Sequence, residues 1–422
     1  MDKKNNLEKF LIWEYLEEPK KFGWEKFQSD WGKKWGKGKY NRYGMFIDFF
    51  DKTYNFIQSK LLSKLYFKKQ NNKILFFCSL KYKHIIFEAK KYYSLNLNVS
   101  GIGDRLFAIK YFMEYFPINK CRELVTKYIE ERRVKHLYRL IELIKIKLEY
   151  LKPDFIVLHN DSFPIERALV LVGKKLKIST IVIQHGQYDS TTPLTDGKVA
   201  DYILVWGKYF KDLYIKNGIR KPNDLYILGY PYQIDKNNMF SKGNNNYTVC
   251  YLGQKWEQYS NILSEAKIVT IKKLFNICIK LRIDFIYRPH PGEDIELIKN
   301  NISYIKFTRK GEKLIDTIKK NDIFISFNST SLVEAFIYSK ICLQLLSLPL
   351  NVDNFEKLGI CNKTFKNFVG LEKYLKILAN TTSEELDKFR KKFNNDYIDI
   401  THEPSKRFLE ILEDIKKNKA ND

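Results

Sequence analysis

The sequence predicts an α/β protein of two successive domains, each a parallel sheet covered by helices on both faces. Three observations carry this. Short all-apolar runs such as Phe155–Leu158, Thr180–Ile183 and Ile341–Leu345 recur along the chain, and most end in polar or glycine-containing turns, as strands buried on both faces do. Stretches with helical spacing of apolar residues lie between them, which is the βαβ alternation of a parallel sheet. One Asn- and Gly-rich stretch without periodicity, Lys236–Tyr247, divides the pattern into halves. At 422 residues the chain is long enough for two cores.

Residues 1–70 are aromatic and basic, with Trp13, Trp24, Trp31 and Trp35 and a Gly/Lys-rich patch from Trp31 to Tyr40. Trp beside Lys suits a lipid headgroup layer; the alternative is an extension whose aromatics pack onto the main body. Charges interrupt the N-terminus where a signal peptide would be apolar. No apolar run reaches the roughly 18 residues of a membrane span. The expected location is cytoplasmic, with peripheral contact to the inner face of the cell membrane left open.

From Lys73 the α/β pattern begins. Ile74–Cys78 and Leu95–Val99 read as strands, the second ending in Ser100-Gly101-Ile102-Gly103-Asp104-Arg105, which falls short of a full dinucleotide fingerprint. Asp104 and Arg105 are noted there as acceptor contacts. Val134, Leu137, Ile141, Ile144, Leu148 and Leu151 predict a long amphipathic helix. The strand Phe155–Leu158 ends in His159-Asn160-Asp161, where Asp161 or Ser162 is expected to cap helix 164–176 and His159 reads equally as a helix-start residue or a functional one. Thr180–Ile183 then delivers Gln184-His185-Gly186-Gln187. A histidine at a strand's carboxyl end, beside a glycine that permits close approach, is placed to take a proton. A Ser/Thr-rich loop carrying Asp189 and Asp196 follows, then strand 200–206, helix 208–216 and strand 225–228, closed by Gly229-Tyr230-Pro231.

The second half repeats the logic. Strand Thr248–Leu252 leads into Gly253-Gln254-Lys255 and a helix over 260–281, and then into Asp284–Glu293, DFIYRPHPGE. Arg288 offers a planar fork of donors suited to phosphate, and His290 adds a hydrogen bond or a charge. The flanking prolines keep the loop out of a helix. Strand 304–307, helix 312–319 and strand 322–327 follow. The last of these delivers Asn328-Ser329-Thr330-Ser331 to a helix start, where hydroxyls, unbonded N–H groups and the helix dipole can cradle a phosphate. Ser331 and Glu334 also match a capping box; outside that box, Glu334 is an acceptor for ribose hydroxyls. The expected partition is 1–70, 71–240, 241–375 and 376–422.

The net charge of +25, from 74 Lys+Arg against 49 Asp+Glu, suits nucleic acid, an anionic membrane or acidic substrates. The lysines are dispersed rather than gathered in a stripe, which disfavours nucleic acid as a partner. Cys78, Cys121, Cys250, Cys278, Cys342 and Cys361 show no CxxC spacing and read as buried thiols.

Taken in order, His185-Gly186, His290-Pro291 and Ser329-Thr330 give the chain a resemblance to the GT-B glycosyltransferases of bacterial surface-polysaccharide synthesis. It looks most like their HP-motif group: sialyl- and polysialyltransferases, capsule Kdo transferases and CDP-glycerol glycerophosphotransferases. The resemblance spans Phe155 to Leu345. The phosphotransferases' WHG is QHG here, and the sialyltransferases' paired acidic motif has no clear counterpart.

The resemblance implies two Rossmann-like domains facing across a cleft, with the C-terminal one holding a nucleotide-activated donor. Lys255, Arg288, His290, Ser329 and Thr330 would hold the phosphate, with Glu334 also in the donor site. His185 would be the base, with Asp189 and Asp196 as substitutes. No Asp-x-Asp occurs, so neither a metal nor any cofactor beyond the nucleotide donor is expected. The implied donor is a nucleotide-sugar, CMP-sugar favoured, and the acceptor a glycan or lipid-linked glycan of capsule or lipopolysaccharide. Alternatives are a CDP-glycerol or ribitol-type polyol-phosphate transferase, a nucleotide-sugar 2-epimerase, a basic nucleic-acid-binding protein and a non-catalytic membrane-assembly subunit.

Overall fold

The computed structural model describes residues 3–16, 53–54, 56–57, 72–78, 80–99, 102–111, 113–188, 190, 197–232, 234, 248–258, 260–381, 385, 387–389 and 392–421. Seven strands, β1 (Lys73–Phe77), β2 (Ser94–Val99), β3 (Glu114–Pro117), β4 (Phe155–Leu158), β5 (Ser179–Ile183), β6 (Tyr202–Val205) and β7 (Leu225–Ile227), build the N-terminal sheet. Six more, β8 (Thr248–Leu252), β9 (Asp284–Arg288), β10 (Lys306–Phe307), β11 (Ile323–Ser326), β12 (Ile341–Leu345) and β13 (Lys363–Phe365), build the C-terminal one. The orders are β3-β2-β1-β4-β5-β6-β7 and β10-β9-β8-β11-β12-β13, with every pairing parallel. Both lobes are therefore Rossmann-like, doubly wound sheets. In each, strand order reverses between the first strand and its fourth, at β1/β4 and at β8/β11; such switch points are where open α/β sheets bind ligands.

The apolar runs become central strands because both of their faces are covered: β4, β5, β11 and β12 are buried at every position. Alternation sorts their side chains to two sides. Ile156, Leu158 and Val182 join one core cluster, and Phe155, Val157, Ile181 and Ile183 the other. The first cluster continues without a break into Leu252, Phe324, Leu332 and Phe336 of the C-terminal lobe.

Both ends of the chain pack onto the N-terminal lobe. In the helix Lys3–Leu16, Leu11 and Ile12 enter the shared core, and Arg167 Nη1 donates 2.7 Å to the Phe10 carbonyl. This first helix of the extension thus packs onto the body through Phe10, Leu11 and Ile12; Trp24, Trp31, Trp35 and the Gly/Lys patch lie outside the described residues. The final helix, Pro404–Asn421, leaves the C-terminal lobe and sets Phe408, Ile411, Leu412 and Ile415 against the N-terminal sheet. The crossing strand of chain hugs Gly229 (φ +85°): Tyr230 N donates 2.9 Å to the Asp399 carbonyl, and a Cβ on Gly229 would lie 2.7 Å from that oxygen. No described helix is long and apolar enough to cross a membrane. All six cysteines are buried.

The helix expected from Val134 forms, as Lys135–Leu151; a separate helix, Ile118–Glu131, precedes it, with Arg132 (φ +52°) at the turn. Other expectations are corrected. β3 and β13 are short edge strands without a clear apolar run, and β10 begins only at Lys306 because Tyr304 adopts a left-handed φ of +66°. Neither Asp161 nor Ser162 caps helix Pro164–Lys175; its N-cap is Phe163, with no side-chain cap. Asp161 instead turns inward, where its carboxylate accepts the N–H groups of Gly197, Val199 and Ala200 at 2.7, 2.7 and 2.8 Å. Arg220 donates to the carbonyls of Gly197 and Ala200, closing the same loop from the other side.

An orphaned buried donor costs about 1–3 kcal/mol, so Asp161→Ala, which orphans three, is expected to lower the urea midpoint sharply. Asp161→Asn keeps one carbonyl oxygen and should lower it less. Equal midpoints for wild type and Asp161→Ala would refute this account of the loop.

Candidate functional site

β9 ends beside β8, and Tyr287, fully buried, sits one residue before the loop Arg288–Glu293. Glu293 folds that loop back on itself. Its Oε2 accepts the His290 N–H at 2.7 Å, while its own N–H donates 2.9 Å to the His290 carbonyl. Below, Glu293 Oε1 accepts from the Tyr287 hydroxyl and from Lys267 Nζ at 2.9 Å; Lys267 reaches Glu257 Oε2 at 2.5 Å. Desolvation raises the Glu293 carboxyl, and Lys267, Tyr287 and the His290 N–H oppose the shift. Gly253 covers this cluster: a Cβ there would overlap the Glu293 carboxylate and lie 2.8 Å from Tyr287 Cζ. Only glycine lets the backbone after β8 pass so close, and that path carries Lys255 to the other side of the loop, its Nζ 3.0 Å from where a Gly292 Cβ would be.

His290 is thereby fixed through its backbone and exposed at its ring. Its Nδ1 lies 2.9 Å from the Pro291 carbonyl, which assigns the proton to Nδ1 and leaves Nε2 facing outward. Desolvation, with the charge of Lys255 and then of Lys81, holds the imidazole below its ordinary pKa. Arg288 is more committed than expected: Nη1 donates 2.5 Å to Thr317 Oγ1 and Nη2 2.9 Å to the Glu312 carbonyl. Its fork is turned partly toward the helix Leu314–Lys320 rather than wholly to a ligand.

β11 leads to the helix Thr330–Ile337, whose N-cap is Ser329, its Oγ accepting the Ser331 N–H at 3.2 Å. The capping box expected between Ser331 and Glu334 does not form, because Ser329 has taken the cap. Glu334 stands beside the Tyr230 hydroxyl of the N-terminal lobe. Desolvation pushes its carboxyl up to about 7, with Tyr230, Lys81 and Arg288 pulling the other way.

In the N-terminal lobe Gln184 is fully buried and shapes the turn after β5. Its Nε2 donates 2.8 Å to the Gly186 carbonyl, and its Oε1 accepts the Trp206 N–H at 2.9 Å. His185 is left exposed, with Tyr232 Oη donating 3.0 Å to its carbonyl and His159 edge-on at 6.3 Å between ring centroids. His159 Nδ1 lies 3.4 Å from the Phe77 carbonyl.

The two lobes meet at these loops. Gln187 N–H donates 3.4 Å to Thr330 Oγ1, and its Nε2 donates 3.2 Å to the Asn328 carbonyl. Gln254 Nε2 donates 2.7 Å to Asn328 Oδ1, and the next residue is Lys255, beside the His290 loop. The His185 turn, the Ser329/Thr330 helix start, Lys255 and the His290 loop thus border one junction. Asp189 and Asp196 lie outside the described residues. Their neighbour Ser190 donates its N–H 2.7 Å to Asp353 Oδ2 in the C-terminal lobe. Asp104 and Arg105 lie on the helix Ile102–Lys110, Arg105 buried.

Sequence reasoning did not single out Lys81, Gln187, Tyr230, Tyr232 or Asn328. Each follows the carboxyl end of a strand by two to five residues, so position after a strand was the signal available for all five.

Gly253→Ala forces a methyl into the Glu293–Tyr287 contact. It should destabilise the C-terminal lobe by about 1–3 kcal/mol, read as a lowered urea midpoint. A midpoint equal to wild type would show that the loop relaxes without strain.

No protein-family model matches the chain, and no curated protein matches it in sequence. Solved structures do match in fold. UDP-GlcNAc 2-epimerase of Methanocaldococcus jannaschii, in complex with UDP-GlcNAc and UDP, aligns with a TM-score of 0.51 at 16% identity, covering 81% of this chain and 99% of that one. MnaA of S. aureus, solved with UDP, aligns at 0.56 and 14% identity over 82% and 97%. MurG of Acinetobacter baumannii aligns at 0.50 and 9% over 81% and 99%. With its two doubly wound lobes, the chain has the GT-B fold.

Proposed function

We propose that this chain is a glycosyltransferase that moves a sugar from a nucleotide-activated donor to a surface-glycan acceptor of capsule or lipopolysaccharide type, in the HP-motif group. The observation that carries the reading is the hydrogen-bonded junction of the His185 loop with the Ser329/Thr330 loop across the two lobes, and of the latter with the turn that bears Lys255, through Gln187, Asn328 and Gln254. Such a junction of strand ends at an interdomain cleft is where a ligand site forms. The M. jannaschii and S. aureus proteins of this fold hold UDP, in keeping with a nucleotide as the leaving group.

In this reading Lys255, His290 and the helix start at Ser329 and Thr330 take the donor phosphate, with Arg288 contributing its charge from the side. Glu334 accepts from the ribose hydroxyls. His185 removes the proton of the acceptor hydroxyl as that oxygen attacks the anomeric carbon. The bond from that carbon to the phosphate oxygen breaks, and its electron pair leaves with the nucleotide. Asp189 and Asp196 are the substitutes for His185. Removing one donor from such a charge-stabilising set costs about 3–4 kcal/mol, and a general base contributes roughly 10²–10⁴-fold. These cationic groups, and a sequence without Asp-x-Asp, support chemistry that needs no metal. A CMP-sugar is the favoured donor, and an acceptor at the inner face of the membrane accords with the charge of +25.

A thermal-shift panel of CMP, CDP, UDP, GDP and their sugar conjugates tests the reading, since a ligand of the folded state raises its melting temperature. No shift at millimolar concentration would sink it. With the donor found, His185→Asn should lower kcat by about 10²–10⁴-fold and leave nucleotide affinity unchanged. Interconversion of the donor sugar with no acceptor present would instead mark a 2-epimerase.

His290 makes binding pH-dependent. Its pKa in the empty protein is lowered, and an adjacent phosphate favours the cation, so the pKa rises on binding. Affinity for a nucleotide-sugar should strengthen as pH falls through the bound-state pKa and level off below the empty-state one. His290→Ala should flatten that profile; an unchanged profile would remove His290 from the phosphate site.

A further inference from the structure

The turn Leu80–Tyr82 follows β1 at the switch point of the N-terminal sheet, and Gly253–Lys255 follows β8 at the switch point of the C-terminal one. Each carries a lysine, Lys81 and Lys255. Tyr82, only 1% exposed, fixes the first turn by stacking on Tyr232 at 5.5 Å between centroids, the rings 15° from parallel. Tyr232 in turn packs on Tyr230 at 5.1 Å and donates from Oη to the His185 carbonyl. The same aromatic ladder therefore positions Lys81, His185 and Tyr230, the last of which stands beside Glu334. Lys81 is exposed, yet its charge reaches two groups of the opposite lobe, lowering both His290 and Glu334. Its place in the turn next to Tyr82, which the ladder ties to the His185 carbonyl, sets it on the N-terminal side of the junction.

We propose that Lys81 is a phosphate-binding residue contributed by the N-terminal lobe, which meets the donor's phosphate from the His185 side of the junction. This rests on the reading of the cleft as a nucleotide site. Two ammonium groups, one from the end of the first strand of each lobe, match a phosphate or diphosphate better than either alone, because an anion between cations relieves their repulsion. The arrangement also keeps Lys81 close to His185 through the shared ladder, so an ordered phosphate brings the acceptor base into register.

Isothermal titration with CDP and UDP, and with cytidine and uridine as phosphate-lacking controls, tests this on the full chain. Lys81→Met should weaken nucleotide binding by about 10- to 100-fold, the scale of a lost charged hydrogen bond. Nucleoside affinity should not change, and the salt dependence should become shallower. Lys81→Arg should keep binding within about threefold of wild type, and the ligand-free melting temperature of both variants should match wild type. Wild-type affinity in Lys81→Met would overturn the assignment while leaving the nucleotide site intact. Failure of CDP and UDP, and of CMP and GDP in the same titration, to bind wild type would overturn both.

Discussion

One apolar interior crosses the boundary between the two sheets, and the geometry of the cleft depends on it. Leu158 and Val182 from the first sheet, Leu252 and Phe324 from the second, and Leu332 and Phe336 from the helix Thr330–Ile337 belong to a single buried cluster. Burial contributes roughly 25 cal/mol per Å² of apolar surface, so sliding one lobe past the other would expose area along the whole seam. The lobes are held so that the loop after β5 touches the loop after β11. Polar groups at that contact choose the register. The C-terminal helix, which returns to cover the first sheet, ties the arrangement from behind.

Within the C-terminal lobe, the His290 loop stands on a buried ionic cluster. Lys267 is 1% exposed and lies between Glu257 and Glu293. An unpaired charge there would be costly, and even a paired one returns little net stability. What the cluster supplies is position: Glu293 spends one oxygen on Lys267 and Tyr287 and the other on the His290 N–H. The loop's own backbone supplies a turn hydrogen bond, from Glu293 N–H to the His290 carbonyl, and Gly292 takes φ +83°; the Glu293 carboxylate supplies the rest of the brace. In the N-terminal lobe Gln184 does the matching task for His185, using neutral hydrogen bonds in place of ions.

Much of the fold was legible because the physics of buried parallel strands is local. A strand covered on both faces must be apolar at every position, and β4, β5, β11 and β12 are. Edge strands β3, β10 and β13 carry less of this signal, since their position in the sheet asks less of them, and β3 and β13 went unforeseen. Caps were the weakest readings. Asp161 beside a helix start, and Ser331 three residues before Glu334, both match local capping patterns. Asp161 was taken instead by the 197–200 backbone, remote in sequence, while Ser329, two residues earlier, took the cap that Ser331 would have filled.

By itself the sequence determined the two-lobed α/β class and the strand ends that bear His185, Lys255, His290 and Ser329, because periodicity and turn residues are properties of short stretches. Only the tertiary structure decided which of those ends share a junction, that Arg288 is partly turned away, and that the turn bearing Lys81 is tied to the His185 loop. Those outcomes depend on contacts between residues from two dozen to well over a hundred positions apart, set by sheet order and by the seam between the lobes, and no local pattern encodes them.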